Sequence, residues 1–365
     1  MLDTGDMSVH LRRAAAAVRG LGAVVAAVLG TVTLAAAPAY ATGARPVAAP
    51  ARDEGPGSFT IEDPRITESS GLAASRTHKG VYWTHNDSDD GPYVYAVDAA
   101  TGRTVATVTL RGINPRDVEA VSAGPDGEVY VGDIGDNLNG TWNEVWIYRF
   151  HEPERLRDVT VTPVRYTVRY ADGPRDAESL MVHPKTGRVY IASKSQERKG
   201  GIYAGPERMS ASGVNTFRRI ARTDTWATDG AFSPDGTRLV LRGYFSGEMY
   251  RWRDGAPEAL RSVSVPVQGQ GESVTFTPDG RTLMFGSEGG SSSVDPVELD
   301  GSLRPENVAA HDKASGDDGK SGGDGGGAAG GGDAGDRRNV VVGGATFAVA
   351  VALWMGLRRL FRRRD

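Results

Sequence analysis

One pattern, repeated five times between residues 58 and 306, constrains this chain more than any other feature. Each copy has a carboxylate or small polar residue, a short apolar run, a glycine turn and a second apolar run. The turns are Arg76-Thr77-His78-Lys79-Gly80, Gly124-Pro125-Asp126-Gly127, His183-Pro184-Lys185-Thr186-Gly187, Ser233-Pro234-Asp235-Gly236 and Thr277-Pro278-Asp279-Gly280. Proline presets φ and glycine accepts a positive φ, so Pro-Asp-Gly is turn chemistry with a mechanism. The runs that follow are β-prone: Val81-Tyr82-Trp83, Val129-Tyr130-Val131, Val189-Tyr190-Ile191, Leu239-Val240-Leu241 and Leu283-Met284-Phe285.

The turn glycines lie 47, 60, 49 and 44 residues apart. Periods of about 40–50 residues with four strands each belong to propeller blades. Third and fourth strands are legible at Tyr93–Val97 and Thr104–Val108 in the first copy, and at Glu144–Tyr148 and around Arg165–Arg169 in the second. The expected fold is therefore all-β, a β-propeller. Five blades are favoured; six result if the 60-residue spacing hides one. The fifth copy runs out of chain after Leu299, while Ser58-Phe59-Thr60-Ile61 precedes the first copy and belongs to no hairpin. That segment is expected to supply the missing outer strand and close the ring, which removes free sheet edges.

The flanks read differently. Residues 1–41 have the form of a secretory signal: Arg12, Arg13 and Arg19, an apolar stretch from Leu21 to Ala37, and an A-x-A site ending at Ala41. The general and the twin-arginine routes both remain open, as does an uncleaved anchor. Residues 42–57 are expected to be disordered, and 307–339 to be a Gly/Asp-rich linker with too few large apolar residues to build a core. Val340–Leu357 is 18 residues without a charge. At ~1.5 Å per residue it just spans a bilayer core. The arginines of the basic tail, 358–365, place that tail in the cytoplasm and the propeller, 58–306, outside. The expected partner is thus the membrane, through one C-terminal helix. A cell-wall, glycan, peptide or protein ligand is expected at the propeller. The net charge of −4 shows no basic excess of the kind nucleic-acid binding requires. The absence of cysteine excludes disulfides, thiol catalysis and cysteine metal sites.

Aligned on their turns, the copies place Ser70, Glu119, Glu178, Asp229 and Glu272 in one register, and Glu68, Asp117, Asp176, Ala227 and Gln270 two residues earlier. Residues i and i+2 of a strand face the same way. The seven carboxylates Glu68, Asp117, Glu119, Asp176, Glu178, Asp229 and Glu272 are therefore expected as two stacked rings at one channel mouth. Like charges ~6 Å apart at an effective dielectric of 20 repel by roughly 3 kcal/mol. Protonation, intruding cations such as Arg116 and Arg175, or a bound ion must relieve this. Calcium, with about six to eight oxygen ligands, fits the donor type. The competing structural reading has the acids hydrogen-bonded to backbone N–H groups between blades. Loops at the same face add Asn86, Asp87, Asp133, Asp136, Asn137, Lys194, Arg242 and Glu288 as candidate ligand-binding residues.

SPDGTRLVL and TPDGRTLMF resemble WD40-like and TolB-type propeller repeats. GLAAS, DVEAV, DAESLMVHPKTGRVYIASK and GESVTF together resemble secreted bacterial propellers of the phytase-like kind, over most of residues 65–290. The flanks and the Ala/Gly/Arg/Asp bias are similar to those of actinobacterial surface proteins. Two functions stay open: a membrane-tethered binding module with a cation at its mouth, and a calcium-dependent phosphoester or ester hydrolase. The second, implied by the resemblance, gives Glu119, Glu178, Asp229 and Glu272 as cation ligands and Lys194 and Arg242 as the phosphate clamp. No nucleophile elbow, zinc-protease motif or P-loop occurs.

Overall fold

The Pro-Asp-Gly segments turn as their chemistry requires, with Gly236 and Gly280 at φ of +73° and +74°, and each joins two antiparallel strands. A computed structural model describes residues 56–87, 90–137, 140–195 and 199–317. After a short strand β1 (Phe59–Thr60), the first meander is β2 (Ser69–Ala74), β3 (Val81–Asn86), β4 (Tyr93–Asp98) and β5 (Thr104–Leu110). The second is β6 (Val118–Ala123), β7 (Glu128–Asp133), β8 (Val145–His151) and, beyond β9 (Val159–Val161), β10 (Val164–Tyr170). The third is β11 (Ala177–Val182), β12 (Val189–Ser193), β13 (Gly200–Ala204) and β14 (Val214–Thr223). The fourth is β15 (Ala227–Phe232), β16 (Arg238–Gly243), β17 (Gly247–Arg253) and β18 (Ala256–Val263). The fifth is β19 (Gly271–Phe276), β20 (Thr282–Ser287) and β21 (Ser293–Glu298), completed by β1, which pairs antiparallel with β21. This is the architecture of a β-propeller.

The core lies between the sheets rather than along the axis. Trp83 and Val94 pack against Val131 and Phe150, joining the first and second meanders. Ile147 with Leu180, Tyr190 with Leu239, and Val240 with Phe285 repeat this between the next pairs. Phe59, Ile66 and Tyr82 pack with Met284 and Val294, so the fifth meander meets the first and the ring closes.

The 60-residue spacing has a specific cause. Residues between β8 and β10 leave their own sheet as β9, which pairs in parallel with β5 of the first meander. Next to it, β10 pairs in parallel with β14 of the third, so two meanders share one eight-stranded sheet. The extra residues link neighbours; among the described residues they form no further meander.

The segment expected as linker begins with a helix, α1 (Glu306–Asp317). Its first turn is capped from another part of the chain: Asn307 N–H donates to Asp235 Oδ2 at 3.1 Å and Glu306 N–H to Thr237 Oγ1 at 3.0 Å. Asp312 accepts from both Arg281 and Arg304. The helix therefore sits at the turn end of β15 and β19. Among the described residues no helix is long and apolar enough to cross a membrane. The expected signal, the linker beyond 317, the span 340–357 and the basic tail lie outside the described residues, as do residues 42–55 of the segment expected to be disordered.

Candidate functional site

A bulge opens each inner strand, and in three of the five it carries a glutamate. In β6, Val118 pairs with Asp133 and Ala120 with Gly132, so Glu119 is left out of the ladder. The same slip frees Glu178 in β11 and Glu272 in β19. An unpaired bulge residue bends the strand and re-aims its side chain. The three glutamates are buried, and each lies within electrostatic reach of Lys194.

Asp229 is a correction to the ring. In β15 it pairs with Arg242, and the residue left out of the ladder is Thr228. One residue of register moves a side chain to the other face. Asp229 is fully buried and accepts from Gly230 N–H at 2.7 Å and from Val274 N–H of the next meander at 2.8 Å. Burial still holds its carboxyl well above the usual range, against these bonds. It is an inter-sheet tie, bonding a backbone N–H of the neighbouring meander. Trp226, not Ala227, then matches Glu68, Asp117, Asp176 and Gln270.

Arg242 is corrected likewise. It lies inside β16, fully buried, and donates to the carbonyls of Ser273 (2.6 Å) and Gly286 (2.8 Å) and to Gln268 Oε1 (2.7 Å). Desolvation lowers its pKa to about 10, in spite of Glu272, Asp229 and Asp295. The position that matches Lys194 is Tyr244: Asp87, Lys194, Tyr244 and Glu288 each directly follow the second strand of a meander. The Gly243-Tyr244 junction was the available signal for it. Lys194 bonds Glu178 Oε1 and donates to Tyr244 Oη at 3.0 Å. Burial would lower its pKa, but Glu178, Tyr244 and Glu272 more than offset this and hold the ammonium well above its ordinary value. Glu178 Oε2 is buried with no hydrogen-bond partner among the described residues.

The remaining candidates divide by role. Asn86 and Asp133 brace the entry to β2 and β6: Asn86 Oδ1 accepts from Thr67 and Glu68 N–H, Asp133 Oδ1 from Arg116 and Asp117 N–H. Asp136 accepts from Trp142 N–H at 2.6 Å and its own N–H donates to Asp176 Oδ1 at 2.9 Å. Asn137 donates to Asp117 Oδ2 at 3.0 Å. Arg116 and Arg175 do not enter the rings as compensating charges: Arg116 stacks on Trp142 and Trp146, and Arg175 pairs with Asp172.

Among the described residues two overlapping oxygen clusters remain, and Asp87 belongs to both. Asp87, Asp117 and Glu119 offer carboxylate oxygens that all lie within 4.8 Å of one another, as do Glu68, Asp87 and Glu288. The electrostatic strain is visible. Burial, then Asp87, Glu178 and Asp117, pushes Glu119 well above the carboxylate range. Burial, Glu272 and Asp87 push Glu288 up to about 8. Glu178, Glu272 and Asp176 are raised too, burial being the largest cause in each.

Fold and site thus define a β-propeller with a crowded acidic mouth. No protein family and no curated protein matches the sequence. Among solved structures, the chain is similar to one in the mitotic checkpoint complex at 10% identity and a TM-score of 0.36, covering 63% of each chain. It thus spans about 63% of the length of that neighbour. It is also similar to the PQQ-bound aldose sugar dehydrogenase of Streptomyces coelicolor at 13% identity and a TM-score of 0.41, covering 67% of this chain and 99% of that one.

Proposed function

We propose that this is a five-bladed, membrane-tethered extracellular propeller whose acidic mouth binds calcium and, with it, a ligand. Counting each meander as one blade gives five, and the outlying β9 removes the reason for a sixth. The observation that supports the cation is the pair of oxygen clusters sharing Asp87. Calcium–oxygen bonds of about 2.3–2.6 Å keep the ligands of one ion within ~5 Å of each other. Five carboxylates from the first, second and fifth meanders meet that limit in two overlapping sets of three. All the donors are hard oxygens, the type calcium selects. The tether rests on the apolar run 340–357 and its arginine flank.

Binding is preferred over phosphoester hydrolysis because Arg242 is committed to backbone carbonyls. A phosphate clamp then keeps Lys194 alone, and Lys194 is itself paired with Glu178. The test is a thermal melt of the full-length chain in EDTA and in millimolar calcium. A ligand at about 100 times its Kd stabilises by about 2.7 kcal/mol, an upward shift of several degrees for a domain of this size. Asp87→Asn and Glu119→Gln should abolish that shift. An identical melt with and without calcium would refute the cation.

A further inference from the structure

The far end of the central channel differs in kind from the acidic mouth. A cavity of about 220 Å³ lies where the inner strands run into their turns. All five inner strands contribute, through Leu72, Val121, Val182, Phe232 and Phe276 among others, so the cavity is on the axis. Among the described residues no acidic side chain lines it, and Arg76 is the one charged residue that does.

Three side-chain donors there are unspent. Ser122 Oγ accepts from Val182 N–H at 3.1 Å and Thr275 Oγ1 from Ala74 N–H at 3.4 Å; neither hydroxyl proton has an acceptor among the described residues. The Arg76 guanidinium makes no ion pair among the described residues. The nearby Glu152 carboxylate is taken up by the Ser75 hydroxyl and by Arg76 N–H. Arg76 is exposed, yet desolvation lowers its pKa against the pull of Glu152. A cation reaching over a cavity rim experiences both.

We propose that this cavity binds a small monocarboxylate with an apolar body, its carboxylate held by Arg76 and the two hydroxyls and its hydrocarbon part against the inner-strand side chains. Its size suits the class, since a dry apolar cavity of roughly 150 Å³ already admits benzene. The acidic mouth repels such an anion, so the turn end is its entrance.

Benzoate titrated into the full-length chain, followed by ligand-observed saturation-transfer NMR, tests this. Saturable binding is expected, and benzyl alcohol should bind about tenfold more weakly or worse. Arg76→Ala should weaken benzoate by about tenfold or more, the scale of a lost hydrogen bond to a charged group. Ala123→Phe should block the cavity; if it fails to fold, the exposed Arg76 position still decides the matter. Glu119→Gln, at the opposite mouth, should leave benzoate binding unchanged, which separates this site from the cation site. Benzoate binding unaltered in Arg76→Ala, or no saturable binding to the folded wild type, overturns the proposal.

Discussion

A one-residue shift of register separates Asp229 from the glutamates with which it aligns in the sequence. Glu119, Glu178 and Glu272 are bulge residues, whereas in β15 the bulge falls on Thr228. The consequence is measurable. Asp229→Ala leaves the N–H groups of Gly230 and Val274 buried without their acceptor, at a cost of about 1–3 kcal/mol for each such group. A urea melt should show that loss, while the shift expected from the proposed calcium site persists; loss of that shift would return Asp229 to the proposed site. The acidic register was legible because its residue types recur 7–10 residues before each turn glycine. The slip was not, because ATDGAF offers two small polar candidates, Thr228 and Asp229, and spacing alone does not rank them. Arg242 misled for a related reason. A strand-end arginine reads as surface until the neighbouring sheet supplies carbonyls for it.

At the scale of elements, the strand pairs were legible wherever β-branched and aromatic residues bracket a glycine turn. The outer devices were less so. Val159–Val161 is three residues long and pairs with another meander, so no local period announces it. The helix α1 has an apolar content too low to read as a helix, and its N-terminal caps come from Asp235 and Thr237, about 70 residues away. The strand β1 is legible only as the fragment left over where one strand of the last copy is missing. Phe59, Ile61 and Ile66 are all buried by it or just after it. Deleting residues 56–66 should therefore lower the melting temperature by several degrees or more. It should also expose β21 as an open edge prone to association, visible by light scattering. An unchanged melt would mean that the ring closes by side-chain packing alone.

For the whole molecule, the cost of gathering carboxylates at one mouth sets a pH dependence. Burial raises the pKa values of Glu119, Asp176, Glu178, Glu272 and Glu288 in the folded state, Glu288 to about 8, above the ordinary carboxylate value near 4.5. Their contribution to stability is therefore complete below about pH 4.5, where folded and unfolded forms are both protonated, and is lost as pH rises toward 8. Lys194 is held well above 10.5 and keeps its charge throughout this window. In EDTA the melting temperature should fall steadily between about pH 5 and 8. With the proposed calcium site occupied, the ion takes the place of the protons and the fall should flatten; a flat profile in EDTA would mean the cluster carries no such cost. The closure of the ring by β1 has a consequence in time rather than in energy. Phe59 must find Val294, roughly 230 residues later in the chain, and pairings so distant are slow to form. Among the described strands, the one made first is thus the last to be placed. Until the fifth meander exists, the growing chain is an open arc with an unmatched face at each end, and only its final strand turns that arc into a ring.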